Sequence, residues 1–519
     1  MKESSVPDPV SQGLRPEHPI ARSLSQLVAD FGLEQRGEFA PDSVTGISLT
    51  SKDIVPGDLY VGLPGRNVHG AAFAAAAAES GAVAILTDPE GAELAAGTGL
   101  PVIVTPQPRE ALGAVSAWIY RTLDDPPTLF GVTGTNGKTS VTYILDAVLS
   151  QLGIVAGFST TAERGIGDLR IASTLTTPEA TEVHALLARM REAEVRSVII
   201  EVSAQALTRH RIDGIVFDVV GFTNLTHDHL DDYGRMEDYF EAKRALFEPD
   251  RARRGVVLVD GEWGARLAEE SRIPVATIST RPGIAADWQV TILDETVDFT
   301  RFRIEGPDHR SLTTTLPILG RFMAENAALA IVMLVESGYD LEAIAHVLER
   351  DGGIDAFVPG RAERVSAETG PRVYIDYGHS PDAFQSALES LRRVTDGRVI
   401  MVFGADGDRD TTKRADMASI AARLADVVVI TDYNPRFEDP ASIRAVLLDA
   451  ARSARPDVEL YEVPDPRLAF RQALSVAGEG DVILHAGPGH EDYQEVAGEK
   501  IPYSARDEAR LALQENGWL

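Results

Sequence analysis

Apolar residues fall into two patterns along this chain. Short, mostly apolar blocks without clear alternation occupy 58–63, 82–86, 197–202, 217–222 and 255–259. Similar blocks return at 373–375, 399–403, 427–431 and 482–485. Such blocks suit strands of a parallel sheet covered on both faces. Between them, apolar positions recur at helical spacing. The clearest case is Val141, Ile144, Leu145, Val148, Leu149 and Leu152, which predicts a helix with one apolar stripe. The alanine-rich stretch 71–80 predicts a second helix, buried in a core. Alternating strands and helices predict an α/β protein.

Two stretches, Asp124-Asp125-Pro126-Pro127 and the glycine- and proline-bearing 352–360, punctuate the pattern. A chain of 519 residues is too long for one core. Three domains are expected: 1–125, of short strands and helices; 126–352, with a parallel or mixed sheet; and 353–519, doubly wound and Rossmann-like.

The middle segment opens with Gly131-Val132-Thr133-Gly134-Thr135-Asn136-Gly137-Lys138-Thr139-Ser140. The apolar run 128–130 precedes it and the periodic helix follows, the context of a phosphate-binding loop. Glycines let backbone N–H groups close around phosphate oxygens, and the helix N-terminus adds its positive dipole end. Lys138 supplies a point charge, and the Thr139 hydroxyl can reach Mg2+. Five residues separate Gly131 from Gly137 where the general pattern has four, so Gly134 must make the turn.

Composition narrows the partners. The net charge of -30 disfavours nucleic acid. The absence of cysteine excludes disulfides, thiolate metal sites and a cysteine nucleophile. Residues 1–19 lack a secretory pattern and no apolar run is long enough to span a bilayer, so a cytoplasmic protein with no membrane partner is expected.

Polar residues follow several strand blocks, where open α/β sheets bind ligands. Glu201, at the end of 197–202, suits Mg2+. The segment 224–231 holds His227, Asp228, His229 and Asp231. A metal role is expected for His229 and a structural one for His227. Taken alone, 239–247 is an amphipathic helix bearing a solvated lysine, Lys243.

With these motifs assembled, the chain from about 45 to 510 resembles the Mur ligases, the ATP-dependent amino-acid ligases of peptidoglycan synthesis. Within them it resembles the branch that adds the third residue of the stem peptide. The resemblance is carried by 55–61, 65–70, 134–139, 176–179, 201–203 and 224–231, and in the last third by 358–361, 376–382, 407–410, 434–436 and 489–494. It implies ATP binding by Gly134, Thr135, Asn136, Gly137, Lys138, Thr139, Ser140, Asn326, Arg361 and Asp376. It implies two Mg2+ ions held with Thr139, Glu201, His229 and Lys243, the last as a carbamate formed with CO2. Lys138, Lys243 and His229 become the catalytic set. Ser51, Asn67, His69, Thr176, Thr177, Ser203 and Arg211 match positions that bind the UDP-N-acetylmuramoyl-dipeptide. Arg409, Asn434, Arg436, Gly487 and Glu491 match the amino-acid pocket. A monomer is expected.

The retained Arg436 favours meso-2,6-diaminopimelate as the added amino acid, because an arginine fork clamps a carboxylate. Tyr433 replaces the family's Asp, and Pro488 replaces a usual Lys, which leaves L-lysine or ornithine open. Further departures are Thr50, Lys52, Ala204, Gln205 and Met323, which leave open a divergent paralogue with another acceptor. A folylpolyglutamate- or cyanophycin-type ligase is disfavoured by Asn434-Pro435-Arg436, and a GTPase by the absence of any Asn-Lys pair. A non-catalytic scaffold is disfavoured by the retention of Lys138, Thr139, Glu201, His229 and Lys243.

Overall fold

The computed structural model describes residues 13–65 and 67–519. The first twelve residues of the N-terminal stretch and Arg66 of the 65–70 motif lie outside them. The chain forms two compact units.

The first unit comprises the described residues of Met1–Thr133 together with Ile154–Val220 and Ala245–Arg254. It holds a five-stranded sheet in the order Glu34–Arg36, Val102–Val104, Ala84–Thr87, Asp58–Gly62, Gly46–Ser48. All neighbours are parallel except the first pair. The stretch expected as one helix over 71–80 divides into a 3-10 turn, Gly70–Phe73, and a helix, Ala74–Glu79. In the same unit Thr128–Thr133, Ser197–Glu201 and Ala156–Ser159 pair in parallel. Glu163–Ile166 and Leu169–Ala172 continue antiparallel.

The second unit comprises Gly134–Gly153, Gly221–Arg244 and Gly255–Leu519. Its first part carries the strands Val275–Ser279, Trp288–Glu295, Thr300–Glu305 and Ser311–Leu316, the last three antiparallel. The helices Lys138–Gln151 and Arg321–Glu336 pack together there. Its second part is a six-stranded sheet in the order Glu363–Arg364, Arg372–Asp376, Val482–Ala486, Val399–Phe403, Val427–Ile430, Glu459–Glu462. The five longer strands are parallel.

The unbroken apolar blocks have a direct reason in this sheet. Along Val399–Phe403, Val399, Met401 and Phe403 join one core with Phe384, Leu388 and Leu447. Ile400 and Val402 join the opposite core with Phe470, Ala509 and Leu513. A strand covered by helices on both faces has no polar side to display. Among the described residues no helix is long and apolar enough to cross a membrane.

Candidate active site

In the second unit the loop 134–137 leads into a helix that begins on Lys138. Gly131 lies inside the strand Thr128–Thr133, and the turn is made at Gly134, as expected. Gly134 has φ +145° and Gly137 has φ +94°. A Cβ on Gly134 would stand 1.9 Å from Thr223 Oγ1, and one on Gly137 would stand 2.5 Å from Asn326 Oδ1. Both the backbone conformation and the space therefore require glycine. No side chain caps the helix at Gly137, which suits an anion at the helix N-terminus.

The segment after Phe217–Phe222 holds the loop in shape. The Thr135 N–H donates to Asn224 O at 2.8 Å. The Asn136 N–H donates to Asn224 Oδ1 at 3.0 Å, and the Thr226 N–H donates to Thr135 Oγ1 at 3.1 Å. These bonds fix a concave backbone before any ligand binds, which is what a phosphate cradle needs.

Two ammonium groups converge on one carbonyl of this loop. Lys138 Nζ donates to Gly134 O and Thr135 O, both at 2.9 Å. Lys243 Nζ donates to Gly134 O at 2.8 Å and lies 4.6 Å from the centre of the Tyr239 ring. Lys243 is 1% exposed, unlike the solvated lysine that the helix pattern taken alone suggests. The helix Met236–Arg244 turns this residue inward beside the buried Tyr239 and Phe240. Desolvation first, then the charge of Lys138, lowers the Lys243 pKa well below the ordinary range, against the pull of Asp228.

His229 starts the short helix Leu230–Tyr233 with φ 56°, and its ring meets Tyr239 edge-on at 6.0 Å. Desolvation lowers its pKa; Lys138 and Lys243 add to this and Asp228 opposes it. The structural role expected for His227 has geometric content. Its Nε2 lies 3.0 Å from Thr412 Oγ1 and 3.4 Å from Asp410 Oδ2.

Arg361 reaches the phosphate loop, donating to Thr139 Oγ1 at 3.2 Å, with its guanidinium 4.1 Å from the Tyr377 ring centre. Asp376 is committed to backbone, accepting from the N–H groups of Ala362 at 2.8 Å and Gly378 at 2.6 Å. Asn326 touches the loop at Gly137, and its amide points at the sulfur of buried Met323 at 3.8 Å. The departure at Met323 thus acts on the orientation of Asn326.

Of the amino-acid candidates, Asn434 meets Glu491 directly, beside Tyr433. Tyr433 donates its phenol to Glu491 Oε2 at 2.9 Å, and Asn434 Nδ2 donates to the same oxygen at 3.3 Å. Burial raises the Glu491 pKa. Burial, then the Glu491 charge, raises that of Tyr433. Gly487, at φ +114°, sets the Tyr433 ring 3.8 Å from where its Cβ would be. Arg436 does not present an open fork. Its Nε donates to Glu495 at 3.0 Å, one terminal nitrogen donates to Gly407 O at 2.7 Å, and the other lies 3.3 Å from Asp406. Arg409 is exposed.

The first unit carries the remaining candidates. Glu201 is fully buried and accepts from the Thr161 N–H at 3.1 Å and hydroxyl at 3.0 Å. The Thr161 oxygen in turn accepts from the Thr176 hydroxyl at 3.1 Å. Thr177 donates to Glu201 O at 2.7 Å and accepts from the Ser203 N–H at 3.0 Å. Ser203 caps the helix Ala204–Thr208. Arg211, expected as the clamp of an acidic substrate, is held by Glu179 at 3.0 Å and Thr177 O at 3.3 Å. His69 caps the turn Gly70–Phe73 through Nδ1 and meets Asp88 through Nε2 at 3.1 Å. Asn67 is exposed and Ser51 half-buried.

Sequence reasoning did not single out Thr161, Tyr239, Tyr377, His379 or Lys413. Lys413 stood three positions after the 407–410 motif, at the start of a helix, and that placement was the available signal.

Residues 43–120 match the catalytic domain of the Mur ligase family, 132–334 its middle domain and 360–489 its glutamate ligase domain. The UDP-N-acetylmuramyl-tripeptide synthetase of Leifsonia xyli subsp. xyli is 70% identical over 98% of this chain and 99% of its own length. The UDP-N-acetylmuramoyl-L-alanyl-D-glutamate–2,6-diaminopimelate ligase of Streptomyces avermitilis is 42% identical over 96% and 98%. A solved diaminopimelate ligase structure of that type is 26% identical with a TM-score of 0.66, covering 96% of this chain and 100% of its own. With three successive domain matches along a glycine-turned phosphate loop and the α/β sheets that carry it, this chain belongs to the Mur ligase family.

Proposed function

We propose that the protein is an ATP-dependent ligase of peptidoglycan synthesis that joins meso-2,6-diaminopimelate to UDP-N-acetylmuramoyl-L-alanyl-D-glutamate. The observation that carries this reading is the convergence of Lys138 and Lys243 on Gly134 O inside a prebuilt phosphate cradle. The names of the relatives support the substrates.

In this reading the dipeptide carboxylate attacks the ATP γ-phosphorus. The bond to the β,γ-bridging oxygen breaks, and ADP leaves. The amine of the incoming amino acid then attacks the acyl phosphate carbon. Phosphate leaves with its C–O bond electrons, and the ammonium proton is lost to solvent. Such phosphoryl transfer depends on positioning and charge neutralisation. The helix N-terminus at Gly137 and the Lys138 ammonium hold the β- and γ-phosphates, Arg361 stands beside Thr139, and Asn326 and Asp376 belong to the nucleotide site. Thr176, Thr177, Ser203 and Arg211, with Ser51, Asn67 and His69, serve the UDP-linked substrate.

Among the described residues no three His, Cys, Asp or Glu side chains cluster as a metal site. The hydroxyl of Thr139 and the carboxylate of Glu201 are the oxygen donors that Mg2+ prefers, and Mg2+ takes its remaining ligands from water and phosphate. Thr139, His229 and carbamylated Lys243 would serve as Mg2+ ligands in the second unit, and Glu201 would offer a carboxylate in the first; the ions neutralise phosphate charge when bound.

A second reading keeps the reaction and changes the amino acid to L-lysine or ornithine. It is favoured by Arg436, whose guanidinium already faces Glu495 and Asp406, leaving a distal carboxylate poorly matched. The test is phosphate release from ATP with the UDP-linked dipeptide and each of diaminopimelate, lysine and ornithine. Release with diaminopimelate alone supports the first reading, and release with lysine or ornithine supports the second. No release with any of them overturns both.

A further inference from the structure

Two loops separated by 185 residues in sequence meet through a buried ion pair and an exposed polar contact beside it. One carries His227, Asp228 and His229; the other runs from Asp406 into the helix Arg414–Leu424. Lys413 Nζ donates to Asp228 Oδ1 at 3.0 Å, and both side chains are 8% exposed. The adjacent His227 meets Thr412 and Asp410. Two consecutive residues on one loop thus grip three on the other.

The gripped loop is itself braced against the amino-acid pocket. Arg414 donates to both oxygens of Glu438, at 3.0 and 2.8 Å. Glu438 accepts from the Asp408 N–H at 2.6 Å. The Gly407 N–H donates to Asn434 O at 2.8 Å. Residues 406–414 and 434–438 are therefore cross-linked.

On the ligase reading above, we propose that Lys413 is a positioning residue: its ion pair with Asp228 ties the amino-acid-binding loop to the loop that carries His229. Asp228 Oδ1 also accepts from the His229 backbone N–H at 3.0 Å, and the carboxylate faces the His229 and His379 rings at 3.7 and 4.0 Å, so removing Lys413 takes away its ammonium partner and leaves a buried carboxylate without it. A buried ion pair is expensive to break from one side because the remaining charge stays desolvated. The loop around Arg409 then moves away while the phosphate cradle, built by other residues, persists.

The test combines steady-state kinetics with amide hydrogen exchange on the full chain. Lys413→Met and Asp228→Asn should each raise the amino-acid KM about tenfold or more, with ATP and UDP-substrate KM within about twofold. The double variant should be no worse than the poorer single variant, because the two residues form one pair. Lys413→Arg should recover part of the loss. Peptides spanning 405–414 should lose exchange protection in both single variants while the strand Val399–Phe403 keeps it. Additive losses, equal rises in all three KM values, or unchanged protection of 405–414 would each overturn the proposal. If the wild type ligates none of the amino acids, the ligase reading fails, and the exchange double-mutant cycle still decides the strap by itself.

Discussion

The sharpest test of the site is removal of Lys243. Its ammonium and that of Lys138 donate to the same carbonyl, Gly134 O. The two nitrogens therefore stand within about 6 Å, where like charges at an effective dielectric of ~20 repel by roughly 3 kcal/mol. Burial works in the same direction. Lys243 is thereby disposed to lose its proton, and a neutral amine can add CO2. The resulting carbamate is negative, so the roughly 3 kcal/mol of repulsion becomes a comparable attraction to Lys138, a swing of about 6 kcal/mol. If even two-thirds of that swing serves the reacting state, Lys243→Ala should lower turnover about a thousandfold. Added short-chain carboxylates should restore part of it by refilling the negative position. Coupled phosphate-release assays, with circular dichroism to verify the fold, measure both effects. An alanine variant that keeps full rate would refute the carbamate assignment.

Three further outcomes are expected. Gly137→Ala forces a Cβ to 2.5 Å from Asn326 Oδ1 at a φ of +94°; it should raise the ATP KM about tenfold or more with folding intact, since αL strain for a non-glycine residue is only about 1–2 kcal/mol. Tyr433→Phe removes the donor to Glu491 Oε2; a hydrogen bond to a charged group is worth about 1.5–3 kcal/mol, so the amino-acid KM should change by about tenfold or more while the ATP KM holds. His184 and His485 are buried, and desolvation lowers both pKa values to about 4. Each unfolded histidine takes its proton near 6.5, so stability should fall as pH drops from about 6.5 to 4 and level off below, by up to roughly 3 kcal/mol per histidine. Urea melts of His485→Gln should show a shallower acid loss than wild type, and an unchanged slope would count against the reading.

Strands were the most legible part of the fold. The blocks 217–222 and 399–403 match observed strands at both ends, because side chains covered on both faces must be apolar. The 71–80 helix was less legible. Runs of alanine suit a helix at every position, and nothing in the run announced that its first turn would be 3-10. At the site, Gly134, Gly137 and Lys138 were legible because a tight anion-binding turn needs glycine at fixed positions. The environment of Lys243 was not: a lysine on an amphipathic helix belongs to solvent by default, and only packing against Tyr239 and the loop carbonyl reverses that. The engagement of Arg436 by Glu495 and Asp406 was equally hidden, since those acids stand far from it in sequence or in an unremarked loop.

The sequence by itself determined the alternation of strand and helix, the turn at Gly134 and the family to which the chain belongs. These depend on local rules: which side chains a covered strand tolerates, and which backbone angles a residue can adopt. The tertiary structure alone decided which charges face one another. It set Lys243 against Lys138, spent Arg436 on two carboxylates and joined Lys413 to Asp228 across 185 residues. The energy of a charge depends on its distance from other charges and from water, and neither distance is written in the order of the residues.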